Sequence, residues 1–202
     1  SNTENIGFAQ AVNQGIASSK SEFFCTLNDD AYPAENWLEE LVAACDNHQK
    51  IGMFASQIRL RNNPEQLDSA GLNIYADGTT KQRGHQQLVS DYSEACAVLL
   101  PSGCAALYRR SMVEEIGTFD PDFFLYCEDA DLGLRCRLAG WECRYVPTAQ
   151  REARFQYTAV HRTFGAIRIT EAGGHIWCKL HTATAPNMTT QSLPPHFMQR
   201  PG

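Results

Sequence analysis

Two acidic clusters hold the residue types with which this chain could do chemistry. Glu128-Asp129-Ala130-Asp131 follows directly on an aromatic run, Phe119-Asp120-Pro121-Asp122-Phe123-Phe124-Leu125-Tyr126. Apolar neighbours disfavour the charged form of a carboxylate and raise its proton affinity toward that of a working general base. Asn28-Asp29-Asp30 follows an apolar stretch, Phe23-Phe24-Cys25-Thr26-Leu27. Two carboxylates and an amide at a strand end offer oxygen ligands to a hard divalent ion, and Mg2+ commonly uses one or two carboxylates while substrate phosphates complete its shell. Both clusters also have an ordinary reading: Asx residues cap the helix that follows, and acids in a first helical turn complement the macrodipole. A calcium loop starting at Asp120 fits poorly, because Leu125 stands where glycine is needed and Phe124 where an oxygen ligand is needed.

The elements that must position these clusters alternate along the chain. Phe8 to Ile16 reads as a short helix entered from a turn at Gly7, and Glu22 to Leu27 as a buried strand that delivers Asn28-Asp29-Asp30 at its end. A helix over about 35–47 places Trp37, Leu38, Leu41, Val42 and Cys45 on one face. Ile51 to Leu60 and Ala95 to Leu100 are further strands, with turns at Asn62-Asn63-Pro64 and Ala76-Asp77-Gly78 and an irregular polar excursion up to Tyr92. Ser102 to Tyr108 gathers small residues where backbone must approach something closely. Ser111-Met112-Val113-Glu114 matches a capping box for a helix ended by Gly117. Glu128 to Ala139 reads as helix, with Asp131 in a capping role, and Glu142 to Val146 as a strand stopped by Pro147. The alternation predicts an α/β layered fold.

Composition narrows the class. With 202 residues, 43% of them hydrophobic, the chain can bury one substantial core. A net charge of −6 argues against a general nucleic-acid binder, which needs a basic face. There is no apolar run of about eighteen residues and the first five residues lack a signal-peptide pattern, so the expected location is cytoplasmic. Eight cysteines without Cys-x-x-Cys pairs read as buried thiols rather than zinc ligands or disulfides.

Six ordered landmarks carry a resemblance. They are Asn5-Ile6-Gly7-Phe8-Ala9-Gln10-Ala11-Val12-Asn13-Gln14-Gly15-Ile16, Leu27-Asn28-Asp29-Asp30-Ala31, Trp37-Leu38-Glu39-Glu40-Leu41, Asp68-Ser69-Ala70-Gly71, Gly103 to Arg110, and Gly117-Thr118-Phe119-Asp120 through Leu132. Together they resemble the family 2 glycosyltransferases, especially the rhamnosyltransferase-like branch. The resemblance implies a GT-A fold, Rossmann-like, with a mostly parallel sheet flanked by helices. It also implies inverting transfer of a sugar from a nucleotide-diphosphate donor to an acceptor hydroxyl on a glycan or polyprenyl-linked saccharide, in surface-polysaccharide synthesis and in peripheral contact with the inner face of a membrane.

Residue roles follow from the same resemblance. Asp30 maps to the ligand of Mg2+ or Mn2+, with Asn28 and Asp29 beside it against the donor diphosphate, and Asn28 replaces the first aspartate of the commoner motif. Asp129 maps to the general base, and Glu128 to a neighbour that helps place it or the acceptor. Gly7, Phe8 and Asn13 fall on the nucleotide side, and Gly103, Cys104 and Ala105 on the sugar and acceptor side.

The chain departs from the family pattern at both ends. The amino-terminal strand, helix and strand, on the order of fifty residues, are expected to be missing, which divides the chain into a partial GT-A domain at 1–149 and a divergent tail at 150–202. The family's histidine after Tyr145-Val146-Pro147-Thr148-Ala149 has no counterpart before His161, which suggests a change of reading frame near residue 150. Two other readings compete with a transferase: a non-catalytic remnant or binding module on the same scaffold, and a nucleotidyltransferase.

Overall fold

The structure, a computed structural model, describes residues 2–45, 49–124, 126–153, 164–172 and 175–183. In chain order its elements are α1 (Phe8–Ala17), β1 (Phe23–Asn28), β2 (Ala31–Pro33), α2 (Trp37–Ala43), β3 (Ile51–Leu60), β4 (Asn63–Ser69), β5 (Leu72–Ile74) and β6 (Thr80–Gln82). After a 3-10 turn at Val89–Tyr92 come β7 (Cys96–Val98), β8 (Ala105–Arg109), α3 (Arg110–Ile116), α4 (Glu128–Leu138), β9 (Glu142–Ala153), β10 (Phe164–Ala172) and β11 (His175–Ala183).

A nine-stranded sheet runs β10-β11-β1-β8-β3-β9-β2, with β4 added to β3 and β7 to β9. Period-two alternation feeds two cores. Phe24, Met53, Ala55, Ala106 and Tyr108 join Phe8, Val12, Met112, Phe119 and Leu132 on the face covered by α1, α3 and α4. Phe23, Cys25, Leu27, Phe54, Ala105 and Leu107 join Trp37 and Leu41 of α2 on the other. A sheet buried on both faces explains why these strands read as continuous apolar runs. An aromatic column ties layer to layer: Phe24 stacks on Tyr108 at 5.1 Å, and Phe119 meets Tyr108 and Phe8 edge-on at 5.8 and 5.9 Å.

The α/β architecture is the one expected, but the sheet is mixed rather than mostly parallel. β1 with β11 and β3 with β9 are the parallel pairs, whereas β8 runs antiparallel between β1 and β3. β4 returns on β3 as a hairpin, and such short connections give antiparallel neighbours. β4 is a strand where a turn and irregular chain were expected, because its first three residues, including Pro64, are exposed at an edge and show no apolar alternation.

Pro147 does not stop β9. The register passes from Val146 opposite Ser56 to Gln150 opposite Gln57, so residues 147–149 form an irregularity that absorbs the proline. The strand then continues to Ala153, pairing with β2. Nor does the Ser111 capping box form: the N-cap of α3 is Arg109, two residues earlier and with no side-chain cap, and the Arg110 N–H donates to the Glu22 carbonyl. Cys96, Cys104, Cys127, Cys136 and Cys143 are free thiols. His161 lies outside the described residues.

Candidate active site

Asn28 ends β1, and the Asp29–Asp30 turn leads straight into β2, so both acids stand at the carboxyl end of a central strand, where open α/β sheets place ligands. The turn 102–104 lies alongside. The Asn28 N–H donates to the Cys104 carbonyl at 2.9 Å, and Asn28 Nδ2 lies 3.4 Å from Cys104 Sγ. One residue earlier, the Gly103 N–H donates to Asp129 Oδ2 at 2.9 Å. Asp129 Oδ1 accepts the Ala130 N–H at 2.8 Å. Two acidic clusters about one hundred residues apart in sequence are thus joined through two consecutive residues of one turn.

The charges at the start of α4 divide the carboxyls by role. Burial raises the Asp129 carboxyl above its usual range, opposed by the N–H groups of Gly103 and Ala130. Glu128, only 7% exposed, is pushed up to about 7, chiefly by burial and then by the charge of Asp129, and its Oε2 makes no hydrogen bond among the described residues. Asp131 stands in the first turn of α4, as expected, and its Oδ2 accepts Arg135 Nε and Nη2 at 2.9 and 2.7 Å. Arg135 in turn donates to the Ile116 and Thr118 carbonyls, which pins α4 to the end of α3.

Gly7, Phe8 and Asn13 converge on the loop that leads into α4. Gly7 has φ +81°, and a Cβ there would stand 2.6 Å from the Phe124 carbonyl oxygen, so only glycine fits. The Phe8 N–H donates to that same carbonyl at 2.9 Å. The Asn13 amide spans the Phe119 backbone, donating to its carbonyl at 2.7 Å and accepting its N–H at 3.1 Å. The contacts of these three residues therefore buttress the aromatic approach to Glu128. Beyond that loop, Tyr126 and Cys127 take φ +71° and +69°, an unfavourable pair for residues with side chains, immediately before the acidic turn.

Three residues that sequence reasoning left without a role, Asp68, His85 and Arg151, form a connected group that reaches Cys104. Asp68 is buried, and its carboxyl is raised by burial and by the Asp30 charge but drawn back by His85 and Arg151. His85 Nδ1 lies 3.4 Å from Asp68 Oδ1. Arg151, 1% exposed, donates through Nη1 to the Cys104 carbonyl at 2.8 Å and to Cys104 Sγ at 2.9 Å. Reading β9 onward through Pro147 would have shown Ala149 and Arg151 on one inward face, and both are buried.

Among the described residues no three His, Cys, Asp or Glu side chains converge as a ready-made metal centre. The Asn28–Asp30 turn fits a different arrangement, in which hard oxygen donors contribute part of a shell and a bound diphosphate the rest. No helix among the described residues is long and apolar enough to cross a membrane.

Comparison with known proteins shows the family and the fold. The family model described as "Glycosyltransferase like family 2" matches residues 1–175. An N-acetylglucosaminyl-diphospho-decaprenol L-rhamnosyltransferase of Mycobacterium tuberculosis is 49% identical over 49 residues, covering 24% of this chain and 16% of that protein. A poly-beta-1,6-N-acetyl-D-glucosamine synthase of Staphylococcus aureus is 27% identical over 146 residues, covering 72% of this chain and 34% of that protein. The chain thus spans only a minor part of both relatives. The crystal structure of GalNAc-T7 with UDP, GalNAc and Mn2+ superposes with a TM-score of 0.62 at 17% identity, covering 77% of this chain and 32% of that one, and shows the shared GT-A fold.

Proposed function

Because the chain belongs to the glycosyltransferase family 2-like proteins, we propose that it carries the donor turn and general base of an inverting glycosyltransferase. The donor is a nucleotide-diphosphate sugar, and the acceptor a hydroxyl on a glycan or polyprenyl-linked saccharide reached at the inner face of a membrane. The short segment similar to the mycobacterial rhamnosyltransferase supports placement in the rhamnosyltransferase-like branch.

One observation carries the reading: the 103–104 turn binds Asn28 with the Cys104 carbonyl and Asp129 with the Gly103 N–H. Such a turn fixes the distance between a leaving group held at Asn28–Asp30 and a base at Asp129, and fixed geometry is a large part of catalysis in a displacement reaction. The acceptor oxygen attacks the anomeric carbon, the bond to the diphosphate oxygen breaks with its electron pair leaving on the diphosphate, and Asp129 takes the acceptor's proton. Gly103, Cys104 and Ala105 border the space between the two clusters.

Burial and the charge of Asp129 raise Glu128 to about 7, while the Gly103 and Ala130 N–H groups favour the ionised form of Asp129. Asp30, with Asn28 and Asp29, would hold Mg2+ or Mn2+; a bound ion supplies neutralising charge to the departing diphosphate.

Calorimetric titration of the chain with UDP, GDP and dTDP, with and without Mn2+, tests the donor turn. Metal-dependent heat with at least one nucleotide is expected. Its absence with all three contradicts the proposal and favours a non-catalytic scaffold.

A further inference from the structure

Arg59 and Arg61 are cations that neither the donor turn nor the base employs, and both stand at the end of β3. β1 and β3 each run antiparallel to β8, so this end of β3 lies on the same sheet edge as Asn28 and Asp30. Gly103, just before β8, stands at that edge too. Tyr32, which follows Asp30 closely in β2, and Arg59 are both opposite Glu152 of β9, a register that sets them on one face of the sheet. Arg59 is oriented from the core. Its Nε donates to Gln57 Oε1 at 2.9 Å, the Gln57 amide donates to the Tyr145 hydroxyl at 3.0 Å, and that hydroxyl donates to the Tyr92 carbonyl at 3.1 Å. Gln57 and Tyr145 are buried, while Arg59 is half-buried and its Nη1 and Nη2 make no hydrogen bond among the described residues. Arg61 is exposed and lies over the exposed Tyr32 ring, with Cζ 5.0 Å from the centroid. Such stacking fixes the plane of a guanidinium and leaves its in-plane N–H groups for other partners. Neither arginine is ion-paired among the described residues.

Two neighbouring guanidiniums, each held by the protein at one side, suit phosphate oxygens, which they bind as planar forks. The donor's diphosphate is already assigned to the Asn28–Asp30 turn. A polyprenyl carrier is joined to its saccharide through phosphate, so an acceptor of that kind brings a second anion to the same sheet edge. Apolar surface for the carrier is also present: Leu88, 52% exposed, is bridged to Gln66 of β4, the strand beside β3, roughly 10 Å from β3 by two strand spacings. Resting on the acceptor reading above, we propose that Arg59 and Arg61, braced by Gln57 and Tyr32, bind the diphosphate of a polyprenyl-linked acceptor whose first isoprene units lie on Leu88. The saccharide then extends along the sheet edge toward Asp129.

The test is calorimetric binding of farnesyl diphosphate, inorganic pyrophosphate and farnesol to the full chain in EDTA, which withholds the metal that the donor turn needs. Wild type is compared with Arg59→Gln, Arg61→Gln and Leu88→Ser. Both arginine variants are expected to bind farnesyl diphosphate and pyrophosphate at least about tenfold more weakly. Leu88→Ser should weaken farnesyl diphosphate about fivefold and leave pyrophosphate unchanged. Arg61→Gln, at an exposed position, keeps the test informative should Arg59→Gln fail to fold. No binding of farnesyl diphosphate by the wild type, affinities that survive in Arg61→Gln, or farnesol bound as tightly as its diphosphate overturns the site. Leu88→Ser without effect on farnesyl diphosphate marks a site for free diphosphate and overturns the lipid-linked acceptor. Nucleotide binding in Mn2+, measured separately, should be the same in all three variants and wild type; its absence contradicts the donor turn and leaves the result in EDTA standing.

Discussion

Gly103 and Asp129 touch along their backbone-to-carboxylate hydrogen bond of 2.9 Å, and a Cβ on residue 103 would stand 3.2 Å from the Asp129 Cβ. The absence of a side chain at 103 is therefore what lets the turn bind the carboxylate this closely. Because the next residue, Cys104, receives the Asn28 N–H, any shift of the turn alters both acidic clusters at once.

Gly103→Ala is expected to push the Asp129 carboxylate by a few tenths of an ångström without unfolding the protein. Turnover should fall about tenfold while donor affinity changes little, since the loss falls on orientation rather than on binding. Steady-state kinetics of nucleoside diphosphate release, with circular dichroism as the folding control, checks both halves.

The raised Glu128 carboxyl gives stability a pH dependence of definite sign. A folded-state value of about 7 against an ordinary 4.5 means that the native protein holds this proton more tightly than the unfolded chain. Glu128 thus favours the folded state fully below about pH 4.5 and loses that contribution as pH rises through 7, a change of about 3 kcal/mol. Glu128→Gln should flatten this part of the profile and be more stable than wild type at pH 8 in urea denaturation.

Much of the positioning frame was legible because burial on both faces leaves a plain signal. β3 occupies Ile51–Leu60 as expected, and α1 begins after the Gly7 turn. The two acidic clusters were visible as residue types, and so was the small-residue turn between them. The bond from Gly103 to Asp129 was not, since it is a tertiary contact across 26 residues with no periodic pattern. Arg151 was missed for a related reason: Pro147 is a sound stop signal for a regular strand, but the irregularity after Val146 accommodates it. The Ser111 capping box shows the converse, a good local motif overridden when the Glu22 carbonyl takes the Arg110 N–H.

Asn13→Ala removes both hydrogen bonds to the Phe119 backbone and leaves a partly buried N–H and carbonyl to find other partners. A loss of about 2 kcal/mol in urea unfolding is expected. Turnover should fall as well, because the freed segment leads into Glu128 and Asp129. An unchanged denaturation midpoint would show that water replaces the amide at no cost.

In the proposed mechanism Asp129 is the group that takes the acceptor's proton. The decisive measurement is single-turnover transfer by Asp129→Asn with a donor the wild type uses, alongside calorimetric donor affinity. Asparagine keeps the acceptor oxygen for the Gly103 N–H but cannot serve as the base, so transfer should drop by about a thousandfold with donor affinity within about twofold of wild type. Transfer at the wild-type rate would contradict the assignment.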